Sequence, residues 1–189
     1  MGLSRQDIAR AGLKLLNDVG LNGLTLRLIA EELGVKAPAL YWHMKNKQEL
    51  LDEMATQMVR DAASPEQPQT GDWAESLTRN AKQARAMMLR YRDGAKVFSG
   101  TYYTDETLPH EGGLRQLTDA GFPAARAQRV LMTVYSYVVG FTIEEQAVYP
   151  VPGERDERYA DTGVLSGNVD EAFAAGLELV LAGARTWLS

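Results

Sequence analysis

From Ser4 onward, apolar residues recur at three- and four-residue intervals between residues that start and stop helices, and no segment offers a convincing strand. Ser4-Arg5-Gln6-Asp7 has the spacing of a capping box, which satisfies free N–H groups at a helix start. Ile8, Ala11, Leu15 and Leu16 follow at helical spacing until Gly20 stops the helix. Asn22-Gly23 turns the chain, and Thr25 caps a short second helix with Leu26, Ile29, Ala30 and Leu33 on its inner face. Gly34 ends that helix. A third begins near Lys36, with Pro38 in its first turn, where a missing N–H costs little. Asn46-Lys47-Gln48-Glu49 is another capping-box pattern and opens a fourth helix to about Ala62.

The prolines and glycine of Ala63–Gly71 cannot continue a helix, so the chain has its joint there. A long helix is expected from Asp72 to about Arg92, a short element around Lys96–Ser99 and an irregular stretch over Thr101–Gly113. Leu114–Ala120 reads as a brief helix ended by Gly121, and the longest helix runs from Pro123 through about Ala147. Val151–Asn168 reads as a mobile loop, and Val169–Leu188 as the last helix. The expected fold is all-α. Residues 1–47 form a helix-turn-helix domain, 48–62 a connecting helix, 63–71 a linker, and 72–189 a second helical domain.

Composition narrows the chemistry. Of 189 residues 45% are hydrophobic and 24% charged, which describes a globular chain. The absence of cysteine removes disulfides, thiolate nucleophiles and cysteine-based zinc sites, and the only histidines are His43 and His110. The longest charge-free stretch, residues 130–143, is too short for a membrane span, and the polar N-terminus lacks a secretory core. A soluble, cytoplasmic protein is expected. Residues 1–47 carry a net charge of +3 and the remainder −8, a basic head on an acidic body that suits a polyanion meeting one end.

Ala30, Gly34 and Leu40 have the spacing of a helix-turn-helix: a small residue where two helices cross, a glycine at the turn, and an aliphatic that pins the second helix. Tyr41-Trp42-His43 and Lys45-Asn46-Lys47 follow at once, and aromatic tips with lysines beside a helix start suit phosphate contact. Tyr41 alone reads as DNA contact or as core packing.

These residues, with Gly20 through Val35, resemble the DNA-binding domain of the tetracycline repressor (TetR) family. The resemblance continues through Asn80-Ala81-Lys82, Arg92-Asp93-Gly94-Ala95-Lys96-Val97, Gly100-Thr101, Gly140 and Glu144-Glu145-Gln146, which look like the ligand-binding domain of the tetracycline repressors. It implies a homodimer that binds palindromic double-stranded operator DNA and releases it when a small-molecule effector enters the second domain. By the resemblance, Arg27, Lys36, Ala37, Pro38, Ala39, Tyr41, Trp42, His43 and Lys47 are DNA-contacting positions. Ala37 and Ala39 stand where the tetracycline repressor has polar residues. Alanine can pack against a thymine methyl but cannot hydrogen-bond a base edge, so a different operator is expected.

The effector positions depart further. Asn80, Thr101 and Glu144 match residues that hold the drug or its magnesium, but the magnesium-binding histidine is Phe98 here, and a phenyl ring has no lone pair to donate. Ala63 and Ala84 replace a second histidine and an aromatic, and Tyr102 and Tyr103 replace an arginine and a proline. The expected pocket is lined by Ala84, Met88, Phe98, Tyr102, Leu117, Val134 and Tyr137, with Asn80, Thr101 and Glu144 as polar anchors. It suits a lipophilic ligand other than tetracycline–magnesium, with no metal or cofactor.

Val130 through Phe141 is apolar around almost its whole circumference, and Phe173, Leu177, Val180, Leu181, Ala184 and Leu188 form a broad stripe. A helix apolar all round is buried on both sides, either against a second copy or inside a larger bundle. No catalytic constellation is present: there is no nucleophile elbow, the Gly100-Thr101 segment lacks a phosphate-loop lysine, and Glu144-Glu145 point in different directions from a helix. A regulator rather than an enzyme is expected. The alternative is a DNA-binding protein whose second domain only dimerises.

Overall fold

The computed structural model describes residues 2–63, 72–108, 112–150 and 153–188. The described residues form nine α-helices and no strand: α1 (Arg5–Gly23), α2 (Leu26–Glu32), α3 (Ala37–Tyr41), α4 (Lys47–Ala62), α5 (Trp73–Leu89), α6 (Gly94–Phe98), α7 (Gly112–Asp119), α8 (Ala124–Val148) and α9 (Val169–Arg185). They divide into two compact units, Met1–Ala63 with Met87–Leu108, and Ser64–Ala86 with Pro109–Ser189.

The first unit is built on local signals. Ser4 and Asp7 make the reciprocal capping box, and Asn46 Oδ1 accepts the Glu49 N–H at the start of α4. The second half of that box differs from expectation: the Glu49 carboxylate accepts the Lys45 N–H. Gly20 breaks the helical backbone of α1 with φ +68°, and a last turn continues to Gly23. At the end of α2 the Val35 N–H donates to Ala30 O and the Gly34 N–H to Glu31 O, the paired bonds of a Schellman motif. Gly34 there has φ +65°, and an added Cβ would meet nothing within 4 Å. Gly34→Ala therefore tests backbone strain alone and should cost about 1–2 kcal/mol in urea unfolding. Native stability in that variant would show that the turn relaxes into an ordinary backbone region.

Ile8, Leu16, Ile29, Leu40, Met44, Leu50 and Met54 are fully buried and form this unit's core. The segment after α5 closes over it. Asn17 Oδ1 accepts the Arg92 N–H, Asp93 Oδ2 accepts the Leu21 N–H, and Asp52 and Thr56 accept the N–H groups of Tyr102 and Thr104. These pairings explain why residues 87–108 group with α1–α4, although sequence spacing assigned them wholly to the second domain. α4, expected as a connector, packs along α1 inside the first unit.

In the second unit α8 packs on α7 and on α9. Trp73 meets Phe122 edge-on at 5.0 Å, and Tyr137, Phe141 and Phe173 form an aromatic cluster with centroids 5.2–5.8 Å apart. Gly176 makes that cluster possible, because a Cβ there would collide with the Tyr137 hydroxyl. The loop read as mobile is more than a connector in its described part: it holds a short 3₁₀ turn at Glu157–Tyr159 and winds around Arg155, which donates to the carbonyls of Tyr159, Thr162 and Val164 and to the Tyr149 hydroxyl. His110 and the 64–71 part of the linker lie outside the described residues.

Candidate functional site

Ala30 and Leu40 are buried where α2 and α3 meet, and Gly34 turns the chain between them, so the helix-turn-helix spacing is realised as geometry. What this scaffold presents is unusual. Trp42 is 89% exposed and Tyr41 56% exposed, at the end of α3. Of the two readings open for Tyr41, core packing is overturned. Two adjacent bare aromatics leave several kcal/mol of potential burial unrealised, which marks a surface that something covers.

The other expected contacts lie in the same unit. Arg27, Lys36, Pro38 and Lys47 are exposed, and Ala37, Ala39 and His43 are half-buried. Arg27 pairs with Glu31 at 3.1 Å on a solvated face, and Lys47 Nζ donates to the Leu21 carbonyl at 2.9 Å. Both are surface interactions of little strength, which an incoming phosphate can replace.

The expected effector residues divide between the units. Met88, Phe98, Thr101 and Tyr102 belong to the first, Asn80, Ala84, Leu117, Val134, Tyr137 and Glu144 to the second. Met88, Phe98, Leu117 and Val134 are buried, whereas Tyr102 is 81% exposed. The Thr101 hydroxyl donates to the Phe98 carbonyl at 2.7 Å. Tyr137 donates its hydroxyl to the Phe173 carbonyl at 2.8 Å, and burial raises its phenol above the ordinary value.

One expectation needs correction. Glu144, expected as a polar anchor inside the pocket, is exposed, and its neighbour Glu145 is the buried one. Arg85 satisfies Glu145 with two hydrogen bonds, Nε to Oε2 at 2.7 Å and Nη2 to Oε1 at 2.6 Å.

Three polar groups escaped sequence reasoning. Glu145 is one. Glu53 on α4 is another, 3% exposed: burial pushes its carboxyl up, but donors from Thr104, Arg60 and Arg5 outweigh that and hold it below the ordinary value. The third is Gln116 on α7, whose buried side-chain oxygen lacks a hydrogen-bond partner among the described residues. None carries a local signal, since each is defined by partners or surroundings distant in sequence. Among the described residues no cluster of three or more His, Asp or Glu could hold a metal ion, and no helix is long and apolar enough to cross a membrane.

The family described as bacterial regulatory proteins, tetR family, matches residues 8–54, and the tetracyclin repressor-like C-terminal domain matches residues 64–163. The chain is 39% identical to the tetracycline repressor protein class C of Escherichia coli, over 96% of this chain and 90% of that one. A TetR Q116A variant from Acinetobacter baumannii AYE, solved in complex with minocycline, superposes with a TM-score of 0.79 at 37% identity, covering 100% of this chain and 99% of that one. BioQ, solved with its double-stranded DNA operator, superposes with a TM-score of 0.72 at 30% identity, covering 97% of this chain and 98% of that one. In its helix-turn-helix head, its C-terminal domain and nearly all of its length, the chain belongs to the TetR family of transcriptional regulators.

Proposed function

We propose that this chain is a homodimeric repressor that binds a palindromic operator through α3 and lets go when a lipophilic small molecule, other than tetracycline–magnesium, occupies its second domain. The observation that carries the reading is the bare Tyr41–Trp42 pair on a helix-turn-helix whose Arg27, Lys36 and Lys47 are also exposed. Two such heads would enter successive major grooves about one helical turn apart. BioQ, 30% identical, has been solved with its operator, which supports the same use of this head.

Dimerisation is supported by Met132 and Tyr135 on α8 and by Leu179 on α9, with Trp187 and Leu188 just beyond it, all exposed in the single chain. A cleft of about 340 Å³ beside them is lined by Val130, Thr133, Leu179, Val180, Gly183, Ala184 and Trp187. Apolar surface of this kind on two adjacent helices suits a second copy related by a two-fold axis. Phe98, where the magnesium-binding histidine of tetracycline-binding members stands, supports an effector without metal.

Selection of random duplex DNA on the purified protein, followed by a release screen on the enriched site, tests the reading. A palindrome should be enriched, its affinity should fall steeply with salt, and a lipophilic compound should weaken it. An enriched site that no compound releases would favour a second domain that only dimerises. No enrichment would remove DNA binding from the proposal.

A further inference from the structure

Glu53, in the middle of α4, is a carboxylate only 3% exposed. A buried carboxylate persists only where its oxygens are fully partnered. Here the partners come from two directions. Oε2 accepts both Arg5 Nε at 3.1 Å and the Thr104 hydroxyl at 2.7 Å, while Oε1 accepts Arg60 Nη1 at 2.9 Å.

Each partner leads elsewhere. Arg5 passes its Nη1 to the His43 carbonyl at 2.5 Å, just past the end of α3 and next to the exposed Trp42. Arg60 passes its Nε to Asp105 at 2.9 Å. Thr104 and Asp105 lie, with Thr101 and Tyr102, on the loop that follows Phe98 at the end of α6. A continuous run of charge-assisted hydrogen bonds thus joins that loop to the reading end of the head, all within the first unit.

The arrangement is poised. Thr104 and Arg5 share one carboxylate oxygen, so the threonine fixes the rotation that aims Oε2 at Arg5. Without it, the Arg60 fork can take both oxygens, the geometry a guanidinium prefers. Asp105 opposes this by holding Arg60 Nε, and Asp105 belongs to the same loop. Arg5, once released, has another carboxylate within reach, because Glu49 lies 3.7 Å from Nη1.

We propose that Glu53 is a positioning residue for DNA recognition: it keeps Arg5 on the His43 carbonyl, and so α3 in its reading position, only while the 101–108 loop supplies Thr104 and Asp105. The inference rests on the reading of this chain as a DNA-binding regulator and names the contact by which loop movement reaches the DNA. A ligand that draws the loop off α4 acts by removing those two partners.

The test uses the full-length protein with Thr104→Val, Thr104→Ser, Arg5→Met, and Arg5→Met combined with Thr104→Val. Thr104 is exposed and valine matches its shape, so this variant retains the fold. Two quantities are read: affinity for the selected operator, and hydrogen exchange over residues 37–44 without DNA. Thr104→Val should weaken operator binding about tenfold and speed exchange over 37–44, with Thr104→Ser restoring both. The double variant should bind no worse than Arg5→Met alone, as one shared path requires. Native affinity and exchange in Thr104→Val, or losses that simply add in the double variant, would overturn the proposal. If the unaltered protein selects no operator, the regulator reading fails by itself, and the exchange arm still decides whether Thr104 governs α3.

Discussion

Trp42→Ala combined with Lys47→Ala lowers operator affinity about a thousandfold while leaving the unfolding transition almost unchanged. The two halves of this expectation have separate grounds. Trp42 is 89% exposed, so its removal takes no packing from the core, and Lys47 gives up a single surface hydrogen bond to Leu21 O. Stability should therefore fall by no more than about 1 kcal/mol. Binding loses an aromatic contact and a phosphate contact per head, about 2 kcal/mol together. With two heads on one operator the loss doubles to about 4 kcal/mol, a factor of about a thousand. Lys47→Ala alone should also flatten the salt dependence, by about one unit of slope per phosphate contact removed. Titrations of the selected operator at several salt concentrations check both numbers. Equal affinity in the unaltered and doubly substituted proteins would move the DNA-binding surface away from α3.

What the sequence made legible depended on how local the signal was. Ala30, Gly34 and Leu40 lie within eleven residues of one another, and their spacing is enough to build the helix-turn-helix that the structure contains. The caps at Ser4, Thr25 and Asn46 were equally readable, because a capping side chain bonds three residues onward. Tyr41 was not, since a five-residue helix is too short for its apolar pattern to define a face. Glu144 and Glu145 failed for the opposite reason. α8 is apolar on so much of its circumference that periodicity leaves its rotation undetermined, and only Arg85, sixty residues away, shows which carboxylate turns inward. The grouping of residues 87–108 with the head was illegible on the same grounds: it rests on Asn17, Leu21, Asp52 and Thr56, all supplied from α1 and α4.

Arg85→Met should be among the most destabilising single substitutions in the second unit, at about 3 kcal/mol, and Glu145→Leu added to it should return most of the loss. Arg85 and Glu145 have side chains only 12% and 10% exposed and meet in a two-pronged pair. Removing one partner from such a pair strands the other in a medium that cannot solvate it, whereas replacing both with apolar groups removes the cost along with the gain. The remaining Arg85 contacts are too weak to explain a loss of that size. Asp170 is 81% exposed, so its ion pair with Nη1 is screened by water and contributes well under about 1 kcal/mol. The guanidinium also lies 4.9 Å from the Phe173 centroid and 5.9 Å from that of Phe141, but a methionine sulfur keeps part of that attraction to the rings. Asp170→Asn should consequently be near neutral, and it separates the solvated arm from the buried one. Urea unfolding of the unaltered protein, Arg85→Met, Glu145→Leu and the double variant measures the cycle, with Asp170→Asn beside them. If Arg85→Met and the double variant were equally destabilised, the aromatic stacking would carry the effect and the buried pair would not. If instead Glu145→Leu restores stability, the pair's role is to set the rotation of α8. That rotation leaves Glu144 facing solvent and turns Tyr137 toward the Phe173 carbonyl, and it decides what α8 can offer a ligand.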